Sequence, residues 1–218
     1  MRRTLVLGWA LWAGLCAAAQ AQAAEPPDVR TWRFEARLDE VPIGEHRFEL
    51  QGRDGAPQVL HSDASFVVRL LGIPVYRYRH RATEHWRDGC LQSLVADTDD
   101  NGRQQAVRAT RAADRLQVQA PGGDTLLEGC VLSFAYWHPA LRQQAQLLNP
   151  QTGALEPVRM QRMDDAPLPV RGRPVAAQRW RILAPGQTID LWLAAADGAW
   201  IGLDALLDGG HRLSYRLP

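Results

Sequence analysis

Tyr76-Arg77-Tyr78-Arg79-His80-Arg81-Ala82-Thr83-Glu84-His85-Trp86-Arg87 alternates without a break. Tyr76, Tyr78, His80, Ala82, Glu84 and Trp86 fall on one parity, and Arg77, Arg79, Arg81, Thr83, His85 and Arg87 on the other. Successive side chains of a β-strand point to opposite faces, whereas a helix of period 3.6 would mix the two sets. The stretch therefore reads as a strand with an aromatic face turned to a core and a basic face turned to water.

The same period runs outward in both directions. Trp32, Phe34, Ala36 and Leu38 alternate with Arg33, Glu35 and Arg37, and His46, Phe48 and Leu50 share a face after a turn at Asp39 to Pro42. Val59 to Leu71 reads as a long strand with Phe66, Val68 and Leu70 in register, broken by Gly72-Ile73-Pro74. Downstream, Leu91 to Ala96, Gln105 to Arg111, Arg115 to Ala120 and Thr125 to Ser133 extend again, with Asn101-Gly102 as a hairpin signal. Pro139 to Leu148 opens on proline and continues with helix formers, which predicts a short helix. Pro157 to Met163, Val175 to Ala184, Thr188 to Ala194, Trp200 to Leu206 and Leu213 to Leu217 return to strands. About eleven or twelve strands with one helix near residues 139–148 predict an all-β fold, a single antiparallel barrel or strongly curved half-barrel. No βαβ alternation is present, which disfavours a parallel nucleotide-binding sheet.

The first 23 residues have another character. Arg2-Arg3 precedes an apolar run, Leu5 to Cys16, and small residues lead to Ala21-Gln22-Ala23. This is the pattern of a secretory signal peptide, with residues 24–218 expected as one β domain. The run is too short to span ~30 Å of hydrocarbon, so no transmembrane anchor is expected after its removal. The Arg pair lacks the rest of a twin-arginine signal, and Leu15 before Cys16 does not suit a lipoprotein site. All the basic residues are arginine and the chain is alanine-rich, the composition of a GC-rich bacterial genome, so the expected compartment is the periplasm. Without Arg2 and Arg3 the chain is close to neutral. That excludes a global positive field for nucleic acid or for an anionic membrane. Roughly 195 remaining residues suffice for a core. Cys90 and Cys130 are the two cysteines outside the leader. In an oxidising compartment they are expected to pair.

Few constellations carry chemistry. Asp97-Thr98-Asp99-Asp100-Asn101-Gly102 matches half of a calcium loop, but Arg108 stands where the closing Glu belongs. An acidic hairpin tip is the simpler reading, and no metal or cofactor is predicted. Glu84 on an apolar face needs a base beside it or a raised pKa. An Arg or His on an adjacent strand is the expected partner, and Glu84 with His80, on the same face, or with His85 is the candidate acid–base pair. The Arg77, Arg79, Arg81 and Arg87 face has the chemistry to meet an anionic headgroup, a polysaccharide or a phosphate, but the expected reading is a solvated outer face balanced by neighbours such as Glu35 and Glu49. No Gly-x-Ser-x-Gly elbow is present for a serine hydrolase.

The chain resembles the DUF6134 family of exported bacterial proteins of unknown function. The resemblance rests on Ile43-Gly44, Tyr76-Arg77-Tyr78 with Glu84-His85-Trp86, and Gly89-Cys90-Leu91. It continues through Asp99-Asp100-Asn101-Gly102, Ser133 to Pro139, Leu148-Asn149 with Thr152-Gly153, and Asp190-Leu191-Trp192. It is similar in type to DUF3108, and it implies fold and compartment rather than mechanism. Functionally, the inward aromatics predict a noncatalytic binding module for a lipid or other apolar ligand, held by Tyr76, Tyr78, His80, Glu84 and Trp86. A cell-envelope assembly factor ranks second, with its protein partner undefined, and a Glu/His enzyme third. Nucleic acid is not an expected partner.

Overall fold

The computed structural model describes residues 28–218, so the leader expected over residues 1–23 lies outside it. Eight strands come first, joined by short hairpins: β1 (Val29–Leu38), β2 (Val41–Gln51), β3 (Gln58–Leu70), β4 (Ile73–Arg87), β5 (Cys90–Asp100), β6 (Arg103–Ala112), β7 (Arg115–Gln119) and β8 (Thr125–Glu128). A crossing segment, residues 129–158, carries a small two-stranded sheet of β9 (Gln146–Leu148) and β10 (Leu155–Pro157). The chain then forms β11 (Arg159–Arg162), β12 (Ala166–Val170), β13 (Arg173–Ala184), β14 (Gln187–Ala194), β15 (Trp200–Leu206) and β16 (Arg212–Arg216). All but β9 and β10 join one antiparallel sheet in the order β11-β13-β14-β15-β16-β1-β2-β3-β4-β5-β6-β7-β8, with β12 also on β13. The last strand pairs with the first, Ala36 facing Tyr215. The sheet curves but does not close. The all-β expectation stands, in its half-barrel form.

Alternation places the core. Phe34, Ala36, Phe48, Leu50, Leu60, Ala64, Ala82, Trp86, Leu94 and Ala96 are buried on the concave face, and the crossing segment lays Val131, Leu132, Ala135, Leu141, Leu147 and Leu148 over them. Each large apolar side chain contributes roughly 2 kcal/mol through burial. Trp200 is the aromatic hub, with Phe34 at 4.5 Å, Phe48 at 4.9 Å and Tyr136 at 5.4 Å between ring centroids. A second, smaller cluster of Leu168, Ala177, Trp192, Ala194 and Ile201 lies on the opposite face of β14 and β15.

Three expectations are corrected. The helix at 139–148 is a five-residue 3-10 turn, Pro139–Gln143, followed by the strand Gln146–Leu148. His138 caps the turn, and its ring accepts from the Ala140 N–H at 3.1 Å. Leu141 is its one buried residue, and Gln144 is already extended. So short a turn cannot sustain a helix, and the Leu148 N–H instead donates to Leu132 O at 2.8 Å. Second, β12 was not expected. Its sequence, Ala-Pro-Leu-Pro-Val, has the two prolines of a loop, yet a strand paired on one side tolerates them. Third, Leu70 does not continue the inner face of Phe66. The register shifts between Val68 and Arg69, and Leu70 is exposed.

Candidate functional site

The concave face and the crossing segment enclose a cavity of about 220 Å³. β2 and β3 supply His46, Phe48, Leu60 and Ser62, and β4 supplies Tyr78, His80, Ala82 and Glu84. β14 to β16 add Ile189, Leu203, Ala205 and Tyr215, and the crossing segment adds Phe134, Tyr136, Asn149, Pro150 and Gln151. Glu84, Leu60 and Leu203 are buried at its deep end, while Tyr78, Gln151, Gln187, Leu207 and Leu213 are half-buried. By register the half-buried group lies at the sheet end that carries the β1–β2, β3–β4, β5–β6 and β15–β16 hairpins. The cavity faces solvent there.

Burial keeps the histidines and tyrosines of its lining uncharged at neutral pH, while Glu84 titrates near 7. Burial holds His46 well below the usual imidazole pKa, and nearby His80 adds to that. His46 Nε2 lies 2.7 Å from Ser62 Oγ and Nδ1 lies 3.1 Å from the Tyr215 hydroxyl. Burial also lowers His80 to about 4. Its Nδ1 lies 2.8 Å from Thr98 Oγ1. Glu84 is pushed up to about 7 by burial, against the opposing pull of Ser133 and of the Trp86 indole. That indole donates to Glu84 Oε2 at 3.0 Å. Ser133 Oγ, though close, does not complete a regular hydrogen bond. Burial raises Tyr78, Tyr136 and Tyr215 above the ordinary phenol value. No arginine lines the cavity.

Tyr78, His80 and Glu84 therefore meet at one cavity. The other two candidates do not line it. The Tyr76 hydroxyl donates to Asp100 Oδ1 at 2.5 Å on the neighbouring strand. Trp86 is buried against Trp137 at 5.6 Å and His138 at 5.5 Å. His80 and Glu84 bond to different partners rather than to each other, and four residues of strand separate them by about 13 Å. The expected basic partner of Glu84 is absent among the described residues. Sequence reasoning placed His46 on an inner face but missed it as a site residue. It also missed Tyr136, Gln151 and Tyr215. The parity of β2 and β16 offered a signal for His46 and Tyr215, while the irregular crossing segment offered none.

The outer face of β4 is basic as expected, with different partners. Arg81 Nε pairs with Asp63 Oδ2 at 2.9 Å, while Glu35 pairs with Arg37 and Glu49 accepts from Gln51. A wide groove of about 550 Å³ over β1–β4 holds Arg33, Arg47, Glu49, Asp63 and Arg81; Arg33 and Arg47 pair with Glu45, Arg81 pairs with Asp63, and Glu49 accepts from the Gln51 amide. Residues 97–102 form a hairpin tip. Asp97 meets Arg108, Asp99 accepts from the Gly102 N–H, and Asp100 accepts from Tyr76. Cys90 and Cys130 are bonded, with Cα atoms 5.1 Å apart.

The family described as "Domain of unknown function (DUF6134)" matches residues 34–218, and the chain belongs to it. Its fold is similar to the crystal structure of a beta-barrel-like protein of domain of unknown function DUF1849 from Brucella abortus. The TM-score is 0.59 at 13% identity, over 88% of this chain and 96% of that one. That likeness concerns the fold alone. No curated protein matches the chain.

Proposed function

We propose that this DUF6134 member is a noncatalytic binding protein, exported to the periplasm, that holds a lipid fragment or another compact, largely apolar molecule in the cavity of its curved sheet. The observation that supports this best is the cavity itself. Phe48, Leu60, Phe134, Ile189, Leu203 and Leu207 give it an apolar wall, and Glu84, raised to about 7, is its one acidic group. A dry apolar cavity of about 150 Å³ binds benzene, and drug-sized pockets begin near 300 Å³. At about 220 Å³ the space suits a compact amphipath or the end of one acyl chain, not a whole phospholipid. Tyr78, His80, Tyr215 and Glu84 offer donors and acceptors that would orient a hydroxyl, amide or protonated acid. Export is supported by the leader pattern in residues 1–23 and is compatible with the disulfide.

Native mass spectrometry of protein recovered from the periplasm, followed by organic extraction, tests this reading. One bound apolar molecule per chain is expected, on a polypeptide starting near Ala24. Ala205→Leu, which fills part of the cavity, should lower the bound fraction. A ligand-free chain that also fails to take up medium-chain fatty acids would overturn it.

A further inference from the structure

The β3–β4 hairpin ends in Leu70-Leu71-Gly72-Ile73-Pro74-Val75. Leu71 is 95% exposed, Ile73 66% and Leu70 65%. The β1–β2 hairpin beside it exposes Val41, and a shared recess lined by Val41, Pro42, Val67 and Val68 shows that the two tips adjoin. The backbone sharpens the point. Leu71 has φ +50° and Gly72 φ +82°, the geometry of a two-residue hairpin turn whose first position normally takes Asn, Asp or Gly. The β5–β6 hairpin obeys that preference with Asn101-Gly102, at φ +53° and +92°. A bulky apolar residue in the left-handed region is unfavourable for the turn, and its side chain gains nothing in water. Ala113 and Arg171 take the same position in other hairpins, at φ +53° and +49°, but Leu71 is the one large apolar side chain among them and it stands in water. Arginines stand on the stem. Arg69 borders the tip, where one guanidinium N–H donates to Gly72 O at 3.3 Å and the others are left for a headgroup, and Arg77 and Arg79 follow on β4. Unlike Arg81 lower on the same strand, which pairs with Asp63, these three have no carboxylate partner among the described residues. The acids nearby have other partners: Asp39 meets His211 and the Arg212 N–H, the exposed Glu40 meets Arg37 at 3.9 Å, Asp99 accepts from the Gly102 N–H and Asp100 from Tyr76.

We propose that this end of the molecule docks on an anionic lipid bilayer, with Leu70, Leu71 and Ile73 entering the acyl boundary and Arg69 and Arg77 meeting headgroup phosphates. Arg77 stands about 13 Å along the strand from Ile73, a spacing that suits a tip buried 5–10 Å below the phosphates. The apolar side chains project from two turns, which suits a fluid surface better than a complementary protein face. The arginines act locally, so the near-neutral net charge does not oppose them. The cavity opens at the same end of the sheet, where docking would place it against lipid.

The test is sedimentation of the processed chain with vesicles of phosphatidylglycerol and phosphatidylcholine, compared with phosphatidylcholine alone. Removing residues 1–23 keeps the apolar leader out of the measurement and leaves every described strand intact. No cavity ligand is needed, so failure here and failure of the binding reading are separate results. Binding to the anionic vesicles is expected, falling about tenfold for the double substitution Leu71→Asn with Ile73→Thr. Asn suits the turn, so this variant should fold. Arg69→Gln with Arg77→Gln should remove the anionic preference. No vesicle binding, equal binding to both vesicle types, or unchanged binding of the Leu71/Ile73 variant would overturn the proposal. So would a dimer that the same variant abolishes, because the tip would then be covered by a second copy.

Discussion

Glu84 is a buried acid with an indole and a hydroxyl for company and no cationic partner among the described residues. Its proton therefore couples to folding. In the unfolded chain it titrates near 4.5 and in the fold near 7. Between these values the folded state holds the extra proton, so this group's contribution is full below 4.5 and is lost as pH rises through 7. His80 works the other way. Its folded value near 4 lies below the free value of 6.5, so its contribution is full above 6.5 and is lost as pH falls through 4. His46, also lowered, acts in the same sense. Glu84→Gln removes only the first slope. The variant should gain about 3 kcal/mol on the wild type between pH 4.5 and pH 8, read from urea unfolding at both pH values. A wild-type-to-variant difference that does not change with pH would show that Glu84 is ionised in the fold. Strand parity was enough to put Glu84 on the aromatic face. Its partners were not legible. Trp86 bonds it from two residues along the same strand, and Ser133 approaches from a segment with no periodic pattern.

Hairpins and strands were the most readable elements, because alternation and turn chemistry are local. β15 runs from Trp200 to Leu206 as expected. What escaped were elements set by a partner across space. The β12–β13 hairpin lies over the outer face of β15, where Leu168 packs against the backbone of Gly202. A β-carbon at Gly202 would stand 2.6 Å from Leu168 Cδ2 and 3.1 Å from Tyr215 O. Gly202→Ala should therefore push β12 away and cost about 1–3 kcal/mol, seen as a lower unfolding midpoint. Leu168→Ala in the same chain should relieve the clash, so the double variant should lose less than the sum of the two single losses. Simple additivity would place the cost elsewhere. Both faces of β14 and β15 are buried in consequence, and Trp192 donates its indole N–H to Asp204 Oδ2 at 2.7 Å on the outer side. The same dependence on partners explains residues 139–148. Helix propensity favours a helix there, but residues 146–148 pair their backbone with β10 and with Leu132 and Phe134, which an extended chain alone allows.

At the scale of the molecule, one covalent link joins the β4–β5 turn to the start of the crossing segment. The Cys90–Cys130 bond closes a loop of 40 residues, which stabilises by about 4 kcal/mol in the chain-entropy model. Chemical denaturation of Cys90→Ser with Cys130→Ser should show a loss of that order, and wild type in reductant should behave alike. A midpoint unmoved by either would mean that the crossing segment holds its place by packing alone. The sequence by itself determined that the chain is antiparallel β, which face of each long strand turns inward, and where most hairpins fall. Those properties follow from period two and from residues that favour positive φ, both written within a few neighbours. It also supplied the two cysteines without their geometry. Tertiary structure decided that the sheet stays open, that the crossing segment fills most of its concave side, and that a cavity remains. It also decided that Tyr78, His80 and Glu84 share that cavity with Tyr136 and Tyr215 while Tyr76 and Trp86 stand apart. Curvature and contacts between strands far apart in sequence are sums over the whole sheet, and no local pattern contains them.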